Sequence, residues 1–539
     1  MSAQDVRLHL EKNLSRLLRL DVLVLLLAAV GIALVLLSTA AHGVGQSADS
    51  VAYLSTALSL VRGNGFTLWD GRPYVDWPPL YPSILAPLRF MGAQLPAAVR
   101  WLNALTFGII ILVAARVFRH GFSRQVSYGV FCGAVAASYP LLSIHVMAWS
   151  EPLFVLLVLA ALAALIRFLH QNSWFWLALA IAFCALAALQ RLAGFSLVAA
   201  VAIALLLWSG RTARQRIRDA ALTSTIALLP LALWTVRNVL LTGTLAGERA
   251  ARLVSPATVV IQLTDTLSTW FIPHVVPALL RVLALAGLVI LVFWLSVRKR
   301  VSQGSPAPVP EIVGKVMVLW IGVYCFFMAV ISLITTTGTE ALDERLLSPV
   351  YVPFSYVLIH SLENAVASCA PRWFSPRQMG GVYGVVICLW LIYPAAWTLR
   401  HVAEWNAHGS SPYDNARWSQ SATLQWLTDQ DLPQPVFSNH PEAIYMRLNR
   451  TAALSPEAME SYRRAIERWG GSRTAHLIWF DQASEGRAIH ALSRLAEWFD
   501  LQPLVRLSDG TIYRMDVRSD RAAPSNSSES KTARTGPNG

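Results

Sequence analysis

Charge is what this chain lacks. Only 14% of its 539 residues are Asp, Glu, Lys or Arg, against 55% hydrophobic, and the mean hydropathy is +0.48. A soluble globule cannot wet its surface with so little charge, which leaves an integral membrane protein. The acidic sign is the scarcer one, 31 Asp and Glu against 44 Lys and Arg, for a net charge of +13. In a membrane chain such an excess collects in cytoplasmic loops and sets orientation, so no nucleic-acid partner is expected. Cysteine is also sparse. Cys132, Cys184, Cys325, Cys369 and Cys388 include no CxxC and no paired arrangement outside the apolar runs, which argues against a disulfide framework and a structural zinc site.

Long apolar runs are abundant. Crossing about 30 Å of hydrocarbon takes about 20 helical residues. Spans are expected near 21–40, 98–116, 126–142, 152–169, 174–190, 192–208, 220–238, 276–297, 315–335, 347–364 and 379–399, which makes a polytopic α-helical membrane protein of about eleven transmembrane helices. With that count Arg7, Lys12, Arg16 and Arg19, then Arg116, Arg119 and Arg124, then Arg211, Arg214, Arg216 and Arg218, then Arg298, Lys299 and Arg300 fall on one side. The positive-inside rule makes that side cytoplasmic, with residues 1–20 as a cytoplasmic N-terminus and the C-terminus outside. Ala40 and Ala41 after the first run permit a cleaved signal peptide, but its apolar core is longer than a typical signal requires.

The expected membrane domain covers 21–400, and three outward segments interrupt its short loops: 41–97, about 239–275, and everything after 400. In the first, Tyr53, Leu54, Ala57, Leu58 and Val61 fall at helical spacing and Gly63 and Gly65 follow, the pattern of a short interfacial helix. Trp69, Trp77 and Tyr81 suit an aromatic belt, and Pro78, Pro79 and Pro82 stiffen the return. From 401 to 517 the chain is expected to form a small C-terminal extracytoplasmic α/β domain. Helical SATLQWLTDQ, EAMESYRRAIERW and GRAIHALSRLAEWF alternate there with strand-like PVFSN, AHLIWFD and TIYRMDV. Residues 518–539 have the composition of a disordered tail.

No Asp or Glu falls in the middle of any expected span, yet polar residues gather at their outer ends. Asp49 follows span one. His145, Trp149 and Glu151 occupy the turn between spans three and four, Gln190 and Arg191 the next outer turn, Arg237 and Asn238 the end of span seven, and Asp343, Glu344 and Arg345 the approach to span ten. Arg191 sits in so tight a turn that its guanidinium must stay close to hydrocarbon, where an unpaired cation is expensive. It needs an anion, either a protein carboxylate such as Glu151 or Asp343, or a ligand phosphate, whose oxygens an arginine fork matches. His145 and His274 are lone histidines without a spaced partner, better suited to ordinary hydrogen bonding than to a metal.

At these places the sequence resembles the GT-C superfamily of polyprenyl-phosphate-sugar-dependent membrane glycosyltransferases, in particular bacterial relatives of protein O-mannosyltransferases and the lipid A aminoarabinose transferase. The resemblance rests on ADSVAYLSTALSLVRGNGF, DWPPLYP, WSEPLF, ALQRLAGF, WTVRNVLLTG and DERLLSPVYVP, with FSNHPEAIYMRLNR in the C-terminal part. It implies that Asp49 matches a catalytic aspartate of the first external loop and that Arg345 looks like an arginine meeting the lipid phosphate, with Arg191 and Arg237 as looser matches. Many relatives carry an acidic pair where Ser50 follows Asp49 here. That weakens metal binding through a paired motif and leaves a divalent metal only possible, with Asp49 acting alone or with Glu151.

The implied reaction moves a sugar from a polyprenyl-phosphate donor to a protein, lipid or glycan acceptor in the bacterial cytoplasmic membrane, with inversion. Asp49 would take the acceptor proton, and Arg345, Arg191 and Arg237 would meet the leaving phosphate. Glu151 would orient the sugar or acceptor, or assist as a second acid. A transporter or flippase of lipid-linked sugars is the main alternative, although such proteins carry ionisable groups near the membrane midplane. The one charge well inside a span, Arg281, is close enough to its end to snorkel. A noncatalytic scaffold is the third reading.

Overall fold

The structure is a computed structural model that describes residues 3–247, 254–299, 309–334, 342–368, 375–411, 413–456, 462–467, 474–481 and 489–518. The chain divides into two compact units, Met1–Thr336 with Glu340–Ala416, and Thr337–Thr339 with Arg417–Gly539.

The first unit is helical: α1 (Ala3–Ser38), α2 (Ala48–Val61), α3 (Leu80–Phe90), α4 (Leu95–Phe118), α5 (Gln125–Ala136), α6 (Tyr139–His145), α7 (Glu151–Gln171), α8 (Trp174–Gln190), α9 (Gly194–Trp208), α10 (Ala213–Thr242), α11 (Pro256–Thr269), α12 (Ala278–Lys299), α13 (Val309–Ile334), α14 (Glu344–Leu347), α15 (Tyr351–Ser368), α16 (Pro376–Trp390) and α17 (Ile392–His408). Among the described residues seven helical stretches are long and apolar enough to cross a membrane: Arg19–Ser38, Leu95–Gly121, Gln125–His145, Glu151–Gln171, Ala213–Thr242, Glu311–Ile334 and Gln378–His408. The expected spans at 174–190 and 192–208 fall on the shorter apolar helices α8 and α9, that at 276–297 on α12, 22 residues long, and that at 347–364 largely on α15. Among the described residues the expected runs therefore fall largely on helix, those near 126–142 and 379–399 each on two successive helices.

Membrane helices gain little hydrophobic drive by leaving lipid for one another, so close approach at small residues matters. α1 crosses α4 where a Cβ on Gly31 would lie 2.5 Å from Ile111 and one on Gly108 2.8 Å from Ile32. Arg100 of α4 then ties off α1, its Nε donating to Thr39 Oγ1 at 2.8 Å and its Nη2 to the Leu36 carbonyl at 2.7 Å.

Two readings of the first loop are corrected. α2 forms over the expected residues but is not simply apolar on one face and exposed on the other. Ser50, Ser55, Thr56 and Ser59 are buried along with Val51, Tyr53, Leu54 and Ala57, so protein covers it on most sides. Trp77 and Tyr81 do not form a belt either. They pack edge-on against Tyr53, with centroids at 5.7 and 5.1 Å. Arg281 is corrected as well: it is 6% exposed and pairs with Asp265 of α11 at 2.6 Å instead of snorkelling.

The second unit contains a five-stranded sheet, β1 (Val436–Ser438), β2 (Ala453–Leu454), β3 (Thr474–Phe480), β4 (Phe499–Leu507) and β5 (Gly510–Val517), in the order β2-β1-β3-β5-β4. β1 runs parallel to β2 and β3, while β5 is antiparallel to β3 and β4. Among its described residues the stretch read as one helix, GRAIHALSRLAEWF, is helical over Leu492–Trp498, and Phe499 already opens β4. Its FDLQPLVRL was missed because Pro503 and a bulge between Pro503 and Val505 interrupt the alternation a strand pattern needs. Residues 482–488 and the expected tail beyond 518 lie outside the described residues.

Asn439 extends β1 by its side chain. It is buried, its Nδ2 donates to the Phe480 carbonyl at 2.8 Å and its Oδ1 accepts the Phe480 N–H at 2.9 Å. Asn439→Ala leaves both backbone groups unsatisfied in the core and is expected to destabilise this unit by about 2–4 kcal/mol, read as a lowered midpoint when loss of sheet structure is followed by circular dichroism.

Candidate active site

The segments carrying Asp49 and Glu151 are joined before either residue is reached. Gly45 N–H donates to the Val146 carbonyl at 2.7 Å and Ala148 N–H donates back to the Gly45 carbonyl at 2.8 Å, a short parallel bridge centred on Gly45 and Met147. Trp149 Nε1 adds a donation to Ser47 Oγ at 2.7 Å. The bridge requires a bare α-carbon: a Cβ on Gly45 would fall 2.3 Å from Met147 Sδ and 2.4 Å from Ser410 Oγ. Gly45→Ala is therefore expected to destabilise the unit by about 1–3 kcal/mol through overpacking and to pull the two carboxylates out of register. The check is its thermal midpoint in detergent beside its turnover.

Ser50, the residue standing where an acidic pair would continue, is buried and accepts the Ser47 N–H at 3.1 Å, half of a capping box at the start of α2. It closes the helix N-terminus, and Asp49 in the first turn faces Arg345.

Arg345 joins the two carboxylates. Its Nη2 donates to Asp49 Oδ2 and its Nε to Glu151 Oε1 at 2.5 Å, while its guanidinium carbon stands 4.2 Å from the centre of the Trp149 ring, a cation–π contact. Arg191 donates to the same Glu151 oxygen at 2.5 Å and to Ser150 Oγ at 3.1 Å. Side-chain exposures are 1% for Glu151, 16% for Arg345, 18% for Arg191 and 23% for Asp49. Glu151 is thus enclosed between two cations, and Asp49 holds the open end of the network. Burial by itself would lower the Arg345 pKa, but the Glu151 and Asp49 carboxylates outweigh it and hold it well above the ordinary arginine value.

Neighbouring elements fix both arginines. Gly194 lets α9 start against the backbone of α8, a Cβ there meeting Ala187 atoms at 2.5 Å, and this turn presents Arg191. Arg345 lies in the short α14, held by Tyr324 donating to the Leu346 carbonyl at 2.6 Å, Thr266 donating to the Leu342 carbonyl at 2.6 Å and Ser348 donating to the Arg345 carbonyl at 2.9 Å.

Of the residues singled out in the sequence, Asp49, Glu151, Arg191 and Arg345 meet; Arg237 is not in contact with them. It donates to the Tyr74 carbonyl at 3.1 Å and to Asn238 Oδ1 at 3.0 Å and lies over Trp234 and Phe66 at 4.3 and 5.7 Å, holding the 66–74 loop. His145 is buried, with Nδ1 2.6 Å from the Leu141 carbonyl, and the His274 ring lies 5.6 Å from Trp397. Among the described residues no group of three or more His, Cys, Asp or Glu is placed to hold a metal.

Two residues at the cluster were given no role by the sequence. Ser150 Oγ lies 3.4 Å from both Tyr53 OH and Glu151 Oε2. Tyr53 is raised in pKa by burial and by Asp49 and Glu151, so it stays a neutral phenol. Ser150 stands in the WSEPLF stretch, the only sequence signal for it; Tyr53 read simply as part of an apolar helix face.

Among solved structures, the chain matches ArnT from Cupriavidus metallidurans in the apo state with a TM-score of 0.56 at 13% identity, over 91% of this chain and 97% of that one. It matches the same protein bound to undecaprenyl phosphate with a TM-score of 0.55 at 13% identity and the same coverage. A further match is the arabinofuranosyltransferase AftD from Mycobacteria, with a TM-score of 0.50 at 14% identity, over 92% of this chain but 41% of that one. No protein-family model matches the sequence, and no curated protein does. Similarity at this level establishes the fold alone: the chain shares the architecture of ArnT over nearly its whole length.

Proposed function

We propose that this chain is a membrane glycosyltransferase that moves a sugar from a polyprenyl-phosphate donor to a hydroxyl or amine acceptor, with inversion at the anomeric carbon. The observation that carries the reading is Arg345, bridging carboxylates from two remote segments while its own helix anchors to a third. A guanidinium so held is a ready partner for phosphate. Donor phosphate competes with Asp49 for Arg345, and on binding it releases Asp49 to face the acceptor. Asp49 then takes the acceptor proton as the new glycosidic bond forms, while the bond from the anomeric carbon to phosphate oxygen breaks and Arg345 and Arg191 meet the charge that develops on the phosphate.

Glu151 is too enclosed to reach a substrate and serves to position both arginines. Arg237 acts on the loop that follows α2 instead of on phosphate. A divalent cation does not fit this set, because both carboxylates already engage Arg345 and a cation between them would displace it; the mechanism has no step through one. The GT-C fold and the undecaprenyl phosphate bound to ArnT support a lipid-linked donor. The bacterial cytoplasmic membrane, with the N-terminus inside and residues 401–517 outside, is the corresponding location.

The test is incubation of the purified full chain with a panel of radiolabelled polyprenyl-phosphate sugars and membrane extract as acceptor. Label should enter the acceptor from one donor, with inverted configuration in the product. A retained configuration or a covalent sugar adduct overturns the single displacement. Absence of transfer by folded protein, together with movement of lipid-linked sugar across proteoliposomes, would favour the transporter.

A further inference from the structure

An apolar groove of about 500 Å³ lies among α11, α12, α15 and α16, lined by Leu285, Leu288, Leu358, Val382 and Val386 among others, a volume typical of small-ligand pockets, roughly 300–1,000 Å³. One cation lines it. Arg281 is 6% exposed. Its Nη2 donates to Asp265 at 2.6 Å, and its Nε and Nη1 are buried with no hydrogen-bond partner among the described residues. A buried guanidinium edge left unsatisfied in apolar surroundings is costly. Asp265 is half-exposed, 47%, and engages only Nη2, which leaves the other edge of the guanidinium to a second anion.

We propose that this groove holds one anionic phospholipid of the surrounding bilayer, with a phosphate oxygen accepting from Nε and Nη1 of Arg281 and one acyl chain lying along α12, α15 and α16. The fork geometry matches phosphate. The Asp265 end of the groove is tied to the segment that carries Arg345, since Thr266, next to Asp265, hydrogen-bonds Leu342 three residues before Arg345. This is not the donor's place. Phe271, stacked among Tyr351, Phe354 and Trp390 at 5.7, 5.2 and 5.9 Å, lines the groove, and none of Asp49, Glu151, Arg191 and Arg345 does.

The test is native mass spectrometry of the full chain in mild detergent, titrated with phosphatidylglycerol, phosphatidylcholine of the same chains, or undecaprenyl phosphate. The wild type should retain one phosphatidylglycerol at least ten-fold better than phosphatidylcholine. Arg281→Gln should abolish that preference. Ala284→Phe, which keeps Arg281 but fills the groove, should lose retention of both lipids while sugar transfer stays within about two-fold of wild type. Equal retention of the two phospholipids, or an undiminished preference in Arg281→Gln, overturns the proposal. So does undecaprenyl phosphate displacing phosphatidylglycerol with the same Arg281 dependence, which would make the groove a carrier-lipid site.

Discussion

Asp49→Asn is expected to lower the rate of sugar transfer by about 10²–10⁴, the usual contribution of a positioned general base, without raising the donor KM. The split between the two constants is the informative part. In the resting protein Asp49 occupies Nη2 of Arg345, the group proposed to meet donor phosphate, so removing the carboxylate charge removes the donor's competitor along with the base. kcat should collapse while the donor KM holds or falls. Stability should change little, because Asp49 is partly exposed and an amide oxygen still accepts from Arg345. Unchanged kcat in a folded Asp49→Asn protein places the base elsewhere; a fall confined to KM makes Asp49 a binding residue.

Arg345→Gln is expected to lose on both counts. Transfer should fall by about 10²–10³, the effect of deleting one preorganised group that meets developing charge. The fold should lose about 3 kcal/mol, the low end for breaking a buried pair, because Glu151 keeps Arg191 and Arg345 is itself not fully enclosed. The charge-conserving Arg345→Lys separates the two effects. With a cation still beside Glu151, the thermal midpoint in detergent should recover most of the loss, while transfer stays well below wild type because an ammonium lacks the fork that meets phosphate. Recovery of transfer along with stability would make Arg345 a structural bridge only, and the phosphate role would pass to Arg191.

Much of the fold was legible because the bilayer limits the options. A backbone in hydrocarbon must satisfy its own hydrogen bonds, so each long apolar run becomes helical, and the runs picked out in the sequence fall largely on helices, two of them each on a successive pair. Less legible was anything that depends on what a helix packs against. α2 has the spacing of an interfacial helix, but Ser50, Ser55, Thr56 and Ser59 are buried against protein, and small hydroxyl residues look the same in sequence whether they face water or a neighbour. Arg281 read as a snorkelling cation because its ion-pair partner, Asp265, belongs to a helix sixteen residues earlier. β4 was hidden by its proline and bulge.

The sequence by itself determined the membrane class, the helical runs, the sheet-bearing C-terminal part, and that Asp49, Glu151, Arg191 and Arg345 stand at helix ends where charge can approach hydrocarbon. Those properties follow from local composition and solvent. Which of the end-residues meet was decided by tertiary structure alone. The Gly45–Met147 bridge and the anchoring of Leu342 by Thr266 bring Asp49, Glu151 and Arg345, separated by up to 296 residues, within hydrogen-bonding distance. The place of Arg237 within α10 sends an arginine of the same outward appearance to carbonyls of the 66–74 loop. Solvent preference places a charge at the membrane surface, but only the packing of neighbouring helices selects its partner there.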